Sequence, residues 1–210
     1  MPFFKQIENE YGILNIWKLT EKPNELLNLL KLLPNDEKRF AAIKPEKRKT
    51  EFLATRILLE RLFNDRPEIA YTDLGKPFLN NRKENISISH SADFAAIFCS
   101  EKKIGVDVEQ ENRNVEKIYS RFLHQEESTF LHTIPNQQRG KIVYWSAKEA
   151  IFKCSDKHGI LFNTHIRIDP FDHEKEETFT AKVIIGDKIT VYRLHTLFFE
   201  NNVLVYCVEL

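Results

Sequence analysis

Six consecutive residues, 104–109 (IGVDVE), alternate strictly between aliphatic side chains and small or acidic ones. Successive side chains of an extended strand point to opposite faces, so this period of two predicts a half-buried β-strand. The three aliphatic residues would face a core, while Asp107 and Glu109 would share the other face with Gly105. The two carboxylates would lie about 6–7 Å apart along the strand and could converge on one cation. Taken alone, this spacing is also typical of a solvated strand face.

A helix is predicted over residues 141–154 and contains the segment WSAKEAIFK, which begins at Trp145. Helical spacing places Lys148 and Glu149 on the side of Trp145, with Lys153 one turn beyond Glu149. Glu149 could add a third carboxylate to the strand pair, and the two lysines could contact phosphate oxygens. Ligation by carboxylates alone indicates Mg²⁺ or Mn²⁺. The alternative is a Glu–Lys surface pair on an amphipathic helix anchored by its aromatic residues.

Three further segments offer groups that could bind an anion. Ser89 and His90 end a predicted strand, where a hydroxyl and an imidazole can hold a phosphate, although a satisfied core or turn histidine is the usual alternative. Lys76 is displayed by a tight Gly-Lys-Pro turn. Lys38 and Arg39 begin a basic stretch, a pattern that is also typical of a solvated helix face.

The composition excludes several classes of protein. The 210 residues carry 31 basic and 31 acidic side chains, so no global field favours nucleic acid or anionic lipid. No stretch approaches the ~20 apolar residues of a membrane span, and residues 1–10 lack the apolar run of a signal peptide. Three widely spaced cysteines without a CxxC pair indicate free, buried thiols in a reducing compartment. We therefore expect a cytoplasmic protein that binds neither nucleic acid nor membranes.

The order of predicted elements repeats along the chain. Each half runs from helix-rich to strand-rich, which indicates an α+β fold with two similar subdomains, 1–102 and 103–210, each with helices on a small, mainly antiparallel sheet. This duplication rests on element order alone. Residues 94–99 and 104–109 are expected to pair as a hairpin. The other predicted helices cover 26–30, 52–63 and 115–131. Other predicted strands cover 13–19, 179–185, 189–199 and 203–208, with tight turns at Gly186-Asp187 and Asn201-Asn202.

Four segments resemble, in this order, motifs of the 4′-phosphopantetheinyl transferase superfamily. They are GKP at 75–77, ISISHS at 86–91, IGVDVE at 104–109 and WSAKEAIFK at 145–153. The last two match the family patterns G-[VI]-D-[VI]-E and W-[ST]-x-K-E-[AS]-x-x-K without departure. The chain length resembles the surfactin-synthetase-activating type, a single-chain pseudodimer of two α+β halves, so we expect a monomer.

Members of this family move the phosphopantetheine arm of coenzyme A onto a serine of an apo acyl or peptidyl carrier protein and release 3′,5′-ADP. The resemblance implies that Asp107, Glu109 and Glu149 hold Mg²⁺ against the coenzyme A pyrophosphate. It makes Asp107, Glu149 and Lys153 the catalytic set, with Lys153 contacting the pyrophosphate and stabilising the leaving group. The other coenzyme A contacts would come from Lys38, Arg39, Lys76, Ser89, His90 and, on the helix face, Lys148.

The mechanism remains open at two points. The carrier serine needs a base at neutral pH, and Glu149 could take its proton directly or through a metal-bound water. Glu127 falls where the family often has an acidic residue near the metal, and Glu126 is a competing candidate. An alternative function is a module that binds coenzyme A or a nucleotide without transfer, which the intact acidic and lysine motifs argue against.

Overall fold

A computed structural model describes residues 3–63, 65–155 and 159–210. The chain divides into two compact units, Met1–Glu101 and Lys102–Leu210. Helices and antiparallel sheets occur in both, so the predicted α+β class is confirmed. The helices are α1 (Pro23–Leu27), α2 (Pro34–Ala42), α3 (Glu46–Leu62), α4 (Tyr119–Phe122), α5 (Gln125–Leu131), α6 (Gln137–Cys154) and α7 (Phe162–His165), with a 3₁₀ turn at Glu116–Ile118.

The strands are short, apart from three long ones near the C-terminus. They are β1 (Phe3–Asn9), β2 (Gly12–Lys18), β3 (Ile69–Tyr71), β4 (Pro77–Leu79), β5 (Asn85–His90), β6 (Phe94–Ser100), β7 (Ile104–Gln110), β8 (Ile166–Ile168), β9 (Thr178–Ile185), β10 (Lys188–Phe199) and β11 (Asn202–Glu209).

The first unit packs the long helix α3 on a four-stranded antiparallel sheet of order β1-β2-β6-β5. Leu53, Ala54 and Leu58 of α3 enter a core that also contains Trp17 and Ile97. The helix begins at Glu46, six residues before its predicted start, because its first two turns are polar and show no apolar periodicity.

The second unit contains a five-stranded antiparallel sheet of order β7-β11-β10-β9-β8. The three long strands agree with prediction to within one residue at each end. The β10–β11 turn has positive φ at Glu200 and Asn201, which is the backbone of a type I′ hairpin turn, one residue earlier than predicted.

Two predictions of local structure are wrong. The segments 94–99 and 104–109 do not form a hairpin, because β6 pairs with β2 and β5 on its two edges and β7 pairs with β11. The predicted helix 115–131 is broken at Leu123–His124. His124 starts a new helix there through a capping box, in which the side chain of Glu127 accepts from the His124 N–H.

Helix α6 packs against β7 at a distance that only glycine allows. A Cβ on Gly105 would lie 1.9 Å from the carbonyl oxygen of Ala150 on α6. This close contact covers the face of β7 that carries Asp107 and Glu109, so the strand is buried on both faces instead of half-buried. The acidic side chains are only 4% and 9% exposed, respectively. No helix in the described ranges is long and apolar enough to cross a membrane.

Candidate active site

The first acidic side chain of β7 is paired with a lysine of α6. Lys153 Nζ lies 2.7 Å from Asp107 Oδ1 and donates a second hydrogen bond, of 3.1 Å, to the Val106 carbonyl. Ser146 of the same helix donates to the Asp107 carbonyl at 3.3 Å. The close approach of the helix at Gly105 therefore brings a strand carboxylate and a helix ammonium into direct contact.

The second acidic side chain, Glu109, has two donors. Trp145 Nε1 donates to its Oε1 at 2.8 Å, and Arg113 donates to the same oxygen. Burial, followed by the charge of Asp107, raises the pKa of Glu109, and the contacts from Arg113 and Trp145 oppose that rise. Arg113 was not predicted from the sequence. The only signal for it was a basic residue in the turn after an acidic strand.

The third carboxylate, Glu149, is half-buried on α6, one turn after Trp145. Burial first, and then the charge of Asp107, raises its pKa to about 7, with a smaller contribution from Glu109. Lys153 and Arg113 act in the opposite direction. We call the three carboxylates of Asp107, Glu109 and Glu149 the acidic cluster. Their charges interact with one another and with the cations Lys153 and Arg113.

The donor chemistry of the acidic cluster fits a hard divalent cation. Within the described ranges, no three His, Cys, Asp or Glu side chains converge closely enough to form a ready metal site. However, burial first, and then repulsion from neighbouring carboxylates, raises the pKa values of Glu109 and Glu149. A divalent cation relieves such repulsion, and oxygen-only ligands are those that Mg²⁺ prefers.

Lys148 lies in a different environment from the predicted one. Its side chain is 0% exposed, and its Nζ donates to Glu127 at 2.5 Å and to the carbonyls of Phe162 and Ile166 at 3.1 and 3.0 Å. Burial lowers the pKa of Lys148 to about 8, against the opposing effect of Glu127. All three ammonium protons have acceptors, so the predicted phosphate contact does not fit this placement.

The two acidic candidates on α5 are now distinguishable. Glu127 is buried and accepts from Lys148, from the Ile168 N–H and from the His124 N–H. Glu126 is the neighbouring residue, and its side chain is 86% exposed. Glu127 is therefore part of the packing between helices, and Glu126 belongs to the surface.

A row of aromatic rings runs beside the acidic cluster. The ring of Trp145 packs against Phe122 and Phe162 at 5.3 and 5.9 Å between centroids, and Phe162 packs against Phe152 at 5.6 Å. Phe152 is 44% exposed. This aromatic row begins at Trp145, which donates a hydrogen bond to Glu109. It ends at Phe152, which is exposed on α6 one turn after Glu149.

The first unit contains a separate cavity of about 510 Å³. It is lined by α3, by the loop before this helix and by the end of β5. His90 Nε2 lies 3.1 Å from Thr55 Oγ1 on α3. Its lining combines basic, aromatic and acidic side chains, which include Lys44, Arg48, Glu51, Phe52, Tyr71 and His90. Arg48 donates to the buried Glu51 at 3.1 Å.

Of the other predicted contacts in the first unit, Arg39 touches a residue of the cavity wall, while Lys38, Lys76 and Ser89 are not among the lining residues. The guanidinium of Arg39 stacks over the ring of Tyr71 at 4.4 Å, while Lys38 is exposed on α2. Ser89 is buried on β5, next to His90. Lys76 is half-buried in the β3–β4 turn, where its N–H donates to Thr72 Oγ1 at 3.1 Å.

A buried ion pair stabilises the cavity wall and was not predicted. Arg56 donates to Asp36 Oδ1 through two nitrogens at 3.1 and 2.9 Å, which joins α3 to α2. The Arg56 guanidinium also stacks over the ring of Phe52 at 3.6 Å. Both Arg56 and Phe52 line the cavity, so the Arg56–Asp36 ion pair fixes the position of this part of the cavity wall.

Comparison with known proteins identifies the family. A model of the 4′-phosphopantetheinyl transferase superfamily matches residues 103–207, which is half of the chain and includes the acidic cluster and Lys153. The chain belongs to this superfamily, which indicates transfer of phosphopantetheine from coenzyme A to carrier proteins. A search of curated proteins found no match.

Proposed function

We propose that this protein transfers the 4′-phosphopantetheine group of coenzyme A to a serine of an apo acyl or peptidyl carrier protein. The observation that supports the proposal best is the contact between Lys153 and Asp107 within the acidic cluster. It joins the two motifs on which the resemblance rests, and both lie inside the matched segment. The products would be the holo carrier protein and 3′,5′-ADP.

Glu149 has the properties of a general base for this reaction. With a pKa of about 7, roughly half of the Glu149 carboxylate is ionised at neutral pH and can accept a proton there. The serine oxygen would attack the β-phosphorus of coenzyme A, and its proton would pass to Glu149. The bond from that phosphorus to the bridging oxygen would break, and 3′,5′-ADP would leave with the negative charge.

Lys153 is the residue that we assign to the pyrophosphate. Its ammonium group would stabilise the charge that develops on the leaving oxygen. Asp107, Glu109 and Glu149 would hold Mg²⁺, which when bound neutralises charge on the pyrophosphate. Arg113 and Trp145 orient Glu109 for this role through their hydrogen bonds.

The cavity of the first unit, taken by itself, offers donors suited to a phosphate group such as the 3′-phosphate of coenzyme A. Lys44, Arg48 and His90 offer donors on its wall, and Arg48 would contact the phosphate while it also pairs with Glu51. Ser89, Lys76 and Arg39 lie close in sequence or space to this wall, whereas Lys38 lies exposed on the outer part of α2. We therefore propose Arg48 and His90 as the main phosphate contacts, ahead of the predicted Lys38.

The aromatic row is suited to the pantetheine arm. An exposed ring such as Phe152 beside charged groups is a favourable surface for an alkyl-amide chain.

The two units support the surfactin-synthetase-activating type, a monomeric pseudodimer with subdomains near 1–102 and 103–210. In the first unit, the chain order β2, α3, β5, β6 gives the sheet order β2-β6-β5. In the second, the order β7, α6, β10, β11 gives β7-β11-β10. A shared order of strands around one long helix is what gene duplication would leave behind.

The proposal is tested by incubating the protein with coenzyme A, Mg²⁺ and a panel of apo acyl and peptidyl carrier proteins. Mass spectrometry should show one added phosphopantetheine group on the carrier serine, and chromatography should show an equal amount of 3′,5′-ADP. A carrier with that serine changed to alanine is the control. Binding of coenzyme A without an adduct on any carrier would instead support a binding module.

A further inference from the structure

Lys148 and Glu127 form an ion pair that is buried on both sides. The exposed fractions of the two side chains are 0% and 4%, and Nζ lies 2.5 Å from Glu127 Oε2. An ion pair in such a dry environment is costly to form unless its remaining donors and acceptors are also bonded. Here they are, because Nζ also donates to two main-chain carbonyls and Glu127 also accepts from two main-chain N–H groups.

These main-chain contacts reach three separate segments. Glu127 Oε2 accepts from the His124 N–H at 2.8 Å, which fixes the start of α5. Glu127 Oε1 accepts from the Ile168 N–H at 2.8 Å on β8. Lys148 of α6 donates to the carbonyls of Phe162 and Ile166, at the start of α7 and of β8. One ion pair therefore ties α5 and the α7–β8 segment to α6.

The segment that the pair ties down carries part of the aromatic row. The carbonyl of Phe162 is bound to Lys148, and its ring packs against Trp145 and Phe152. Trp145 in turn donates to Glu109 at 2.8 Å. The hydrogen bonds of the pair go to groups outside the acidic cluster. Two intermediate residues, Phe162 and Trp145, connect the pair to Glu109.

We infer that the Lys148–Glu127 pair is a positioning device, which holds Phe162 against α6 and thereby fixes Trp145 and its hydrogen bond to Glu109. This role rests on the proposed transferase function. This positioning role replaces the direct phosphate contact that was predicted for Lys148 from its position on the helix. Small misplacement of groups around a reacting centre lowers the rate more than it weakens substrate binding.

The role is tested with Lys148→Met, Glu127→Gln and the double variant, in protein labelled with 5-fluorotryptophan. The chain has two tryptophans, so ¹⁹F NMR gives two resonances, which Trp145→Phe assigns. We expect each variant to shift or broaden the Trp145 resonance and to leave that of Trp17 unchanged. Lys141→Met is the matched control, because Lys141 lies on the same helix but pairs with the exposed Glu116.

Kinetics with coenzyme A then separate positioning from phosphate binding. Positioning predicts that each single variant lowers kcat by roughly tenfold to a hundredfold with an unchanged KM for coenzyme A. It also predicts that the double variant is no worse than the poorer single one, because both act through one contact. A raised KM in Lys148→Met, with normal kcat in Glu127→Gln, would instead establish a phosphate contact.

Glu127→Gln keeps the shape of the side chain and its acceptor oxygen, so it serves as the decisive variant if Lys148→Met fails to fold. An unchanged Trp145 resonance together with normal kcat in this variant would overturn the inference. The NMR experiment needs no substrate. A wild-type protein that fails to modify any carrier would therefore refute the proposed function while leaving the positioning contact separately measurable.

Discussion

Lys153 Nζ and Asp107 Oδ1 lie 2.7 Å apart, and this contact joins the two motifs that define the family resemblance. One partner is on a helix and the other on a strand that is buried on both faces. The contact gives Asp107 a fixed charge partner next to the two carboxylates whose pKa values are raised. Any divalent cation that binds the acidic cluster must therefore compete with an internal ammonium group.

Asp107→Asn should lower transfer by at least roughly a hundredfold, since it removes a charge that both the metal and Lys153 require. The melting temperature should change little, because the change also removes repulsion towards Glu109 and Glu149. Carrier modification and thermal denaturation measure the two effects. Asp169→Asn is the control, as Asp169 bonds Thr180 and Lys182 outside the cluster. Near-wild-type transfer by Asp107→Asn would refute the metal assignment.

Glu149→Gln should stabilise the metal-free protein at high pH. The folded-state pKa of Glu149, about 7, lies above its ordinary value of 4.5. Between these two values the folded state binds more protons, so wild-type stability falls as the pH rises through that window. Glutamine does not titrate. In chelator, Glu149→Gln should therefore melt above wild type at pH 8 but close to it at pH 4.5, and equal melting curves at pH 8 would contradict the assigned environment.

Mg²⁺ should raise the melting temperature of the wild-type protein increasingly with its concentration, because a ligand that binds only the folded state stabilises it. Glu149→Gln should lose most of this shift, as one of three carboxylates is gone. Glu126→Gln is the matched control on an exposed side chain and should retain it. A shift of the same size in both variants would mean that the cation binds elsewhere.

Arg48→Ala should raise the KM for coenzyme A several-fold with little change in kcat, because the 3′-phosphate is remote from the bond that breaks. Dephospho-coenzyme A, which lacks that phosphate, should show a similarly raised KM with wild type and no further rise with Arg48→Ala. Lys38→Ala tests the original prediction. If it reproduces the effect and Arg48→Ala does not, the cavity is not the phosphate site.

Gly105→Ala should destabilise the second unit by about 1–3 kcal/mol, the usual cost of overpacking a tight contact. The added Cβ would collide with the Ala150 carbonyl and push α6 away from β7. Chemical denaturation measures the loss. Gly75→Asn is a suitable control, since a Cβ there meets nothing within 4 Å and asparagine tolerates its positive φ. A Gly105→Ala protein as stable as wild type would show that α6 can shift freely.

Sequence periodicity predicted the local geometry of the candidate site well. Alternation placed Asp107 and Glu109 on one strand face, and helical spacing placed Lys153 one turn after Glu149. Periodicity failed to predict which strands pair, because pairing depends on segments that are distant in the sequence. The β6–β7 hairpin looked favourable locally, but both edges of β6 are occupied by other strands.

The sequence by itself determined the positions of α6 and of the three long strands near the C-terminus, the alternation along β7 and the presence of the two family motifs. Tertiary structure alone decided which side chains those motifs meet. Lys148 and Glu149 are neighbours in the chain, yet one is fully buried against Glu127 and the other stays in the acidic cluster. Periodicity encodes the direction of a side chain on its own element, whereas its partner and its desolvation depend on packing between segments distant in sequence.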